Sequence, residues 1–211
     1  MNAPLSVLDY ARIAARVYED APDWGDPKSS ARAKRYGNAV AFPGTNNVAC
    51  WLADLNIDVV PVDGMGQVHE GFWDAVKVLQ GPLMGQQNVD ATVGHSEGAA
   101  LALLYGALLC LAGRPPRAVY AFEAPMISID GTIADIFKRC GVPLLITRCG
   151  EDIVPEVPRV THAWQHPGPL WQFGKSRGFP LPEIMDHMID WVQTQLAASL
   201  ASLPAPFAVN A

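Results

Sequence analysis

Cysteine is scarce in this chain. The four residues Cys50, Cys110, Cys140 and Cys149 are spread over 211 positions, with no Cys-x-x-Cys pair and no zinc-type spacing. Nothing in that count points to a disulfide framework or a structural metal. Cys110, in an apolar run, and Cys50, beside Trp51, read as buried thiols. Cys140 and Cys149 flank a helix-to-strand loop that a bridge could span. Basic charge is thin too: 15 Lys and Arg against 21 Asp and Glu leave a net charge of −6. With no basic stripe, no nucleic-acid partner is expected. A membrane span needs about 20 apolar residues, and the longest run, Gly98 to Leu111, falls short of that. There is no Asn-x-Ser/Thr sequon, and no nucleotide loop, metal-ligand spacing or cofactor box; the expected cofactor and metal content is none. Met1 to Ala21 carries Asp9, Arg12, Arg16 and Glu19 among apolar residues at helical spacing. This reads as an amphipathic helix rather than an export signal, so a cytoplasmic location is the default expectation.

Apolar residues, by contrast, are plentiful. Half of the chain is hydrophobic, enough for a core that removes about 70% of the unfolded chain's surface from water. Strand-like and helix-like segments alternate, which predicts an α/β fold with a mostly parallel central sheet flanked by helices. Strands are expected at Asn38 to Phe42, Ile57 to Val62, Val89 to His95, Ala118 to Glu123, Pro143 to Cys149 and Leu170 to Phe173. Helices are expected at Glu70 to Leu79 (stopped by Gly81-Pro82), Gly98 to Leu111, Thr132 to Arg139 and Pro182 to Leu200. No repeat or long linker divides the chain. One domain over residues 1–200 is expected, with 201–211 as a loose or draped tail.

Gly94-His95-Ser96-Glu97-Gly98 fits the Gly-x-Ser-x-Gly pattern, between the strand Val89-Asp90-Ala91-Thr92-Val93 and an Ala/Leu-rich helix. A serine at so sharp a turn adopts a strained backbone, and flanking glycines remove Cβ atoms that would collide. The turn lifts Oγ off the sheet and places the next amide at a helix N-terminus, where N–H groups favour an anion. Ser96 is therefore the candidate nucleophile, and it needs a neighbouring base.

Of five histidines, His95 lies inside the elbow and points away from Oγ, and His69 precedes a helix start where packing or capping suits it. His162 and His166 lie in a Pro- and Gly-rich stretch. The chain order Ser…Asp…His favours His187 over His166. The acid should follow a strand after the nucleophile, and Glu151 and Asp152 compete for that place; Asp186 and Asp190 lie too near His187 in sequence to orient it.

At this point the sequence resembles the class 3 lipases, the fungal triacylglycerol-lipase-like α/β-hydrolases that include feruloyl esterases. Phe42-Pro43-Gly44-Thr45 resembles the family's Phe-Arg-Gly-Ser/Thr, Trp51-Leu52-Ala53-Asp54-Leu55 its Trp-x-x-Asp-Leu, and Val68-His69-Glu70-Gly71-Phe72 its Val-His-x-Gly-Phe. Gly94 to Ala100 resembles Gly-His-Ser-Leu-Gly-Gly-Ala, and Asp152-Ile153-Val154-Pro155 the acid's Asp-x-Val-Pro. The resemblance implies a serine carboxylic-ester hydrolase: Asp152 rather than Glu151 as the acid, His187 as base, and His166 and His69 as supporting residues. It implies an oxyanion hole from the N–H groups of Thr45 and Glu97, with the Thr45 hydroxyl as a further donor. It also implies a lid over Asn46, Asn47, Val48, Ala49, Cys50 and Trp51, for which a plain connecting loop is the alternative. Its expected partner is an ester or lipid, at a lipid–water interface if the lid operates. Three positions depart from the pattern: Pro43 stands for Arg, Glu97 for an apolar residue and Ala99 for Gly. The Glu97 carboxylate is expected to alter substrate preference or raise the pKa of His187. A small-ester carboxylesterase and a catalytically silent binding protein are the competing readings. A base of ordinary histidine pKa predicts activity that falls below about pH 6.

Overall fold

The computed structural model describes residues 5–45, 47–53, 57–158, 163–178 and 182–208. An amphipathic helix α1 (Val7–Arg16) opens the fold, closed at its start by a capping box in which Ser6 and Asp9 satisfy each other's backbone N–H. Two strands follow, β1 (Trp24–Gly25) and β2 (Arg32–Tyr36), then β3 (Ala39–Phe42) and the short helix α2 (Val48–Ala53). A hairpin of β4 (Val59–Val62) and β5 (Gly66–His69) leads into α3 (Glu70–Met84). The centre is β6 (Ala91–His95), α4 (Glu97–Leu111), β7 (Ala118–Phe122), α5 (Thr132–Cys140) and β8 (Leu144–Cys149). The chain ends with β9 (Leu170–Phe173), α6 (Pro182–Met185), α7 (Ile189–Ser199) and α8 (Ala205–Ala208).

Seven strands form one sheet in the order β1-β2-β3-β6-β7-β8-β9. It is parallel from β3 onward and antiparallel at the β1-β2-β3 edge. Side chains alternate between its two faces. Val40, Phe42, Val119, Ala121 and Ile146 face a core shared with α3, α4 and α5. Ala39, Ala41, Val93, Tyr120 and Phe122 face a second core under α1, α7 and the C-terminal residues. The α4 run is apolar all round because it is buried from Glu97 to Cys110: a fully enclosed helix has no face to leave polar. Among the described residues no helix is long and apolar enough to cross a membrane.

The differences from expectation are local. Ile57 to Val62 contributes only to the separate hairpin, not to the main sheet. Strand β2, Arg-Ala-Lys-Arg-Tyr, carries no apolar alternation, because only Ala33 is buried there. Helix α3 runs through Pro82 instead of stopping at Gly81. The carbonyl that Pro82 cannot serve belongs to Val78, a residue 71% exposed. At the helix end, Tyr105 Oη donates to the Leu83 carbonyl and Arg114 Nη2 to that of Met84, both at 2.8 Å. The expected helix over Pro182 to Leu200 is broken between α6 and α7, at Asp186-His187-Met188. Residues 201–208 of the tail are docked, with Leu203 and Phe207 buried and the Phe207 ring set edge-on to Tyr120. All four cysteines are free, and Cys50 is exposed rather than buried. Cys140 neighbours Cys110, whereas Cys149 is buried in the other core, so the bridge that the 140–149 spacing allowed is not formed.

Candidate active site

The elbow follows from crowding. Between β6 and α4, Ser96 takes φ +59° and ψ −132°, a region costing roughly 1–3 kcal/mol for a residue with a Cβ. A Cβ on Gly94 would lie 2.1 Å from the Gly98 carbonyl oxygen, and one on Gly98 would lie 2.2 Å from that of Phe42. The Ser96 N–H donates to the Phe122 carbonyl at 2.9 Å, which ties the turn to β7. Ser96 is fully buried, and its Oγ has no hydrogen-bond partner among the described residues.

His187 sits in the break before α7, where Met188 is extended at ψ 128°. The break turns the imidazole inward, and Nδ1–H donates to Asp152 Oδ2 at 2.7 Å, both side chains being fully buried. Asp152 follows β8, with Oδ1 accepting the Val154 N–H at 2.9 Å. His187 Nε2, like Ser96 Oγ, is buried without a partner among the described residues. His95 connects the two sides. It precedes Ser96, its ring centroid lies 4.6 Å from that of His187, and its Nε2–H donates to the His187 carbonyl at 2.7 Å. That assignment leaves Nδ1 to accept from Tyr18 Oη at 2.8 Å. Both His95 nitrogens are thereby engaged away from Ser96.

The remaining candidates sort by contact. Glu151 is exposed, its N–H donating to Asp186 Oδ2 at 2.9 Å. Buried Asp186 therefore clamps the acid's loop to the His187 turn, although its place in the sequence ruled it out as an orienter. Asp190 pairs with Arg177 at the surface. His69 caps α3 and stacks on Phe72, and His166 Nε2 donates to the Pro155 carbonyl at 2.8 Å. His162, Asn46, Asp54 and Leu55 lie outside the described residues. Sequence reasoning missed Tyr18, Glu123 and Asp186. Of the three, only Glu123 carried a readable cue, as an acid ending an apolar strand.

Glu123 is fully buried, with Oε1 accepting the Thr147 hydroxyl and Oε2 the Cys149 N–H, both at 2.7 Å, and its carboxyl hydrogen-bonds to Asp152. Burial, then the charge and hydrogen bond of Asp152, hold Glu123 well above the usual carboxylate range. Burial also pushes Asp152 up to about 7, against hydrogen bonds from Glu123 and Val154 and the charge of Arg148. It lowers His187 to about 4. The carboxyl beside the Asp152–His187 pair is Glu123, not Glu97. Glu97 instead faces Ser30 and Arg32, and burial raises its pKa.

An apolar cleft of about 140 Å³ opens over the site, lined by Tyr18, Thr45, Val48, His95, His187 and its neighbours Met188 and Ile189. Helix α2 stands at its rim: the Asn47 side chain accepts the Cys50 N–H at 3.1 Å, and Trp51 stacks on Phe72. A larger apolar hollow of about 450 Å³ lies at the other end of β8 and β9, around Phe137, Leu144 and Trp171, apart from this chemistry. Among the described residues no group of three or more His, Cys, Asp or Glu could hold a metal ion.

The sequence model of the family described as Lipase (class 3) matches residues 39–162. A lipase of Rhizopus niveus is 31% identical over 147 residues, covering 61% of this chain and 36% of that protein. The secreted mono- and diacylglycerol lipase A of Penicillium cyclopium is 28% identical over 141 residues, covering 62% of this chain and 46% of that one. The chain thus spans a third to a half of the length of these curated relatives. Among solved structures, the Rhizomucor miehei lipase propeptide complex is similar in fold, with a TM-score of 0.63 at 22% identity over 79% of this chain and 67% of that one.

Proposed function

The chain belongs to the class 3 lipase family, and we propose that it hydrolyses carboxylic esters of the acylglycerol type through an acyl-enzyme on Ser96. In this reading His187 Nε2 takes the Ser96 proton as Oγ attacks the ester carbonyl. Asp152 holds the ring in the Nδ1–H tautomer and stabilises the imidazolium. The N–H groups of Thr45 and Glu97 receive the tetrahedral oxyanion; each such donor is worth about 3–4 kcal/mol in related chemistry. His187 then returns the proton to the leaving alcohol, and water repeats the cycle to free the acid.

The observation that carries the reading is the buried His187–Asp152 hydrogen bond of 2.7 Å, with Nε2 and Ser96 Oγ both left unpartnered. The experiment is labelling with a fluorophosphonate probe together with a nitrophenyl ester series from acetate to palmitate. Wild type should label and turn over, and Ser96→Ala should do neither. A wild type that does not label would make the chain a silent member of its family. In the same series, a rate jump when substrate passes from monomer to emulsion supports residues 46–51 as a lid. A short-chain optimum without the jump selects the second reading, an esterase for small soluble esters. The modest cleft of about 140 Å³ is what favours that alternative.

A further inference from the structure

Building on the serine-hydrolase reading, we infer that Glu123 is a proton-bearing positioning residue. Its carboxyl donates a hydrogen bond to the Asp152 carboxylate and so sets the pH at which the Asp152–His187 pair becomes a base.

The backbone at Glu123 has φ +53°, a left-handed conformation that suits glycine and is costly for a long side chain. A spacer at this point would be best built from glycine. What the glutamate brings is its carboxyl. The β7–β8 ladder last pairs Ala121 with Ile146. Beyond it, Glu123 bridges the parting strand ends through the Thr147 hydroxyl and the Cys149 N–H. Its own N–H donates to Thr147 Oγ1 at 3.2 Å, which fixes the carboxyl from both ends.

Two carboxyls that share a hydrogen bond cannot both be ionised at a buried contact; one must carry the proton. Asp152 has the better claim to the charge. It accepts the His187 Nδ1–H and the Val154 N–H, and it lies in the field of Arg148. The other charges facing the group are Asp186, which opposes ionisation of Asp152, and Arg177, which bears on the neighbouring Cys149. Among the described residues Glu123 meets only a hydroxyl and one amide as donors, so the proton stays on Glu123 and points at Asp152. That donation stabilises the carboxylate and lowers the pH above which the pair has shed its last mobile proton, leaving Nε2 free.

Two variants test this by pH profile and by ring NMR titration of His187 in the substrate-free chain. Glu123→Gln keeps an amide donor toward Asp152 and should leave the acid limb of kcat/KM in place. Glu123→Gly relaxes the backbone but removes the donor. The limb and the ring titration should then move up by about one pH unit, an activity loss of roughly tenfold on the acid side. If Glu123 were ionised, Glu123→Gln would remove a negative charge and drive the limb down, which overturns the inference. So does a Glu123→Gly variant whose melting point changes while its titration does not. Should Glu123→Gly fail to fold, the Glu123→Gln titration alone decides. The NMR arm needs no turnover. A wild type inert toward esters but shifting as described would sink the proposed function and leave the role of Glu123 standing.

Discussion

At the residue scale the Asp152–His187 pair behaves as one titrating unit. A proton taken up by the pair leaves Nε2 protonated, either in an imidazolium that keeps its 2.7 Å Nδ1–H bond to the Asp152 carboxylate or in the Nε2–H tautomer facing a protonated Asp152, and either form blocks base action. Burial disfavours the net negative pair and raises Asp152 to about 7. Activity should therefore climb with pH through about 7, not the pH 6 that an ordinary histidine suggests; a kcat/KM profile already flat from pH 5 upward would contradict this. Asp152→Asn should lower kcat by about ten-thousandfold while substrate binding persists, because the wrong tautomer is held. The same substitution should stabilise the fold at alkaline pH. With its pKa raised in the folded state, Asp152 retains a proton that the unfolded chain has shed between about 3.8 and about 7. The Asp152 contribution to stability is therefore lost as pH rises through that window, while His187, lowered to about 4, adds stability between about 4 and 6.5. Asparagine removes the loss, so the variant should melt higher than wild type at pH 8, with the gap closing near pH 4.

At the scale of elements, the elbow is the tightest contact in the site. Gly98→Ala would drive a methyl into the Phe42 carbonyl at 2.2 Å, with no flexible side chain to yield. A cost of about 3 kcal/mol, at the upper end for overpacking, is expected in denaturant titration. A cost near zero would mean that β3 and α4 are less closely joined than the structure has them. Much of this element was legible beforehand, since glycine spacing on either side of a serine between a strand and a helix has few other uses. The break between α6 and α7 was not. Pro182 to Leu200 is helix-compatible throughout, and the local pattern contains nothing that says where the ring of His187 must turn inward. The run through Pro82 was equally hidden, because the Tyr105 and Arg114 caps that hold the helix end come from distant parts of the chain.

At the scale of the whole molecule, two cores sandwich the sheet, and the second includes Leu203 and Phe207 near the C-terminus. Phe207 is 3% exposed and lies against Tyr120. Phe207→Ala should cost about 3 kcal/mol in thermal or denaturant unfolding, the low end for a buried aromatic. A change within experimental error would mean that the tail only drapes. The sequence by itself determined the α/β class, the central strands, the elbow and the order Ser96, Asp152, His187, because periodicity, glycine placement and motif order are carried by neighbouring residues. Only the tertiary structure decided that Glu123 stands behind Asp152 and that Asp186 holds the Glu151 amide beside the His187 turn. It alone also placed Glu97 toward Ser30 and engaged both His95 nitrogens. Those outcomes depend on side chains brought together from separate strand ends in a space without water, and no local pattern encodes which buried groups will share a proton there.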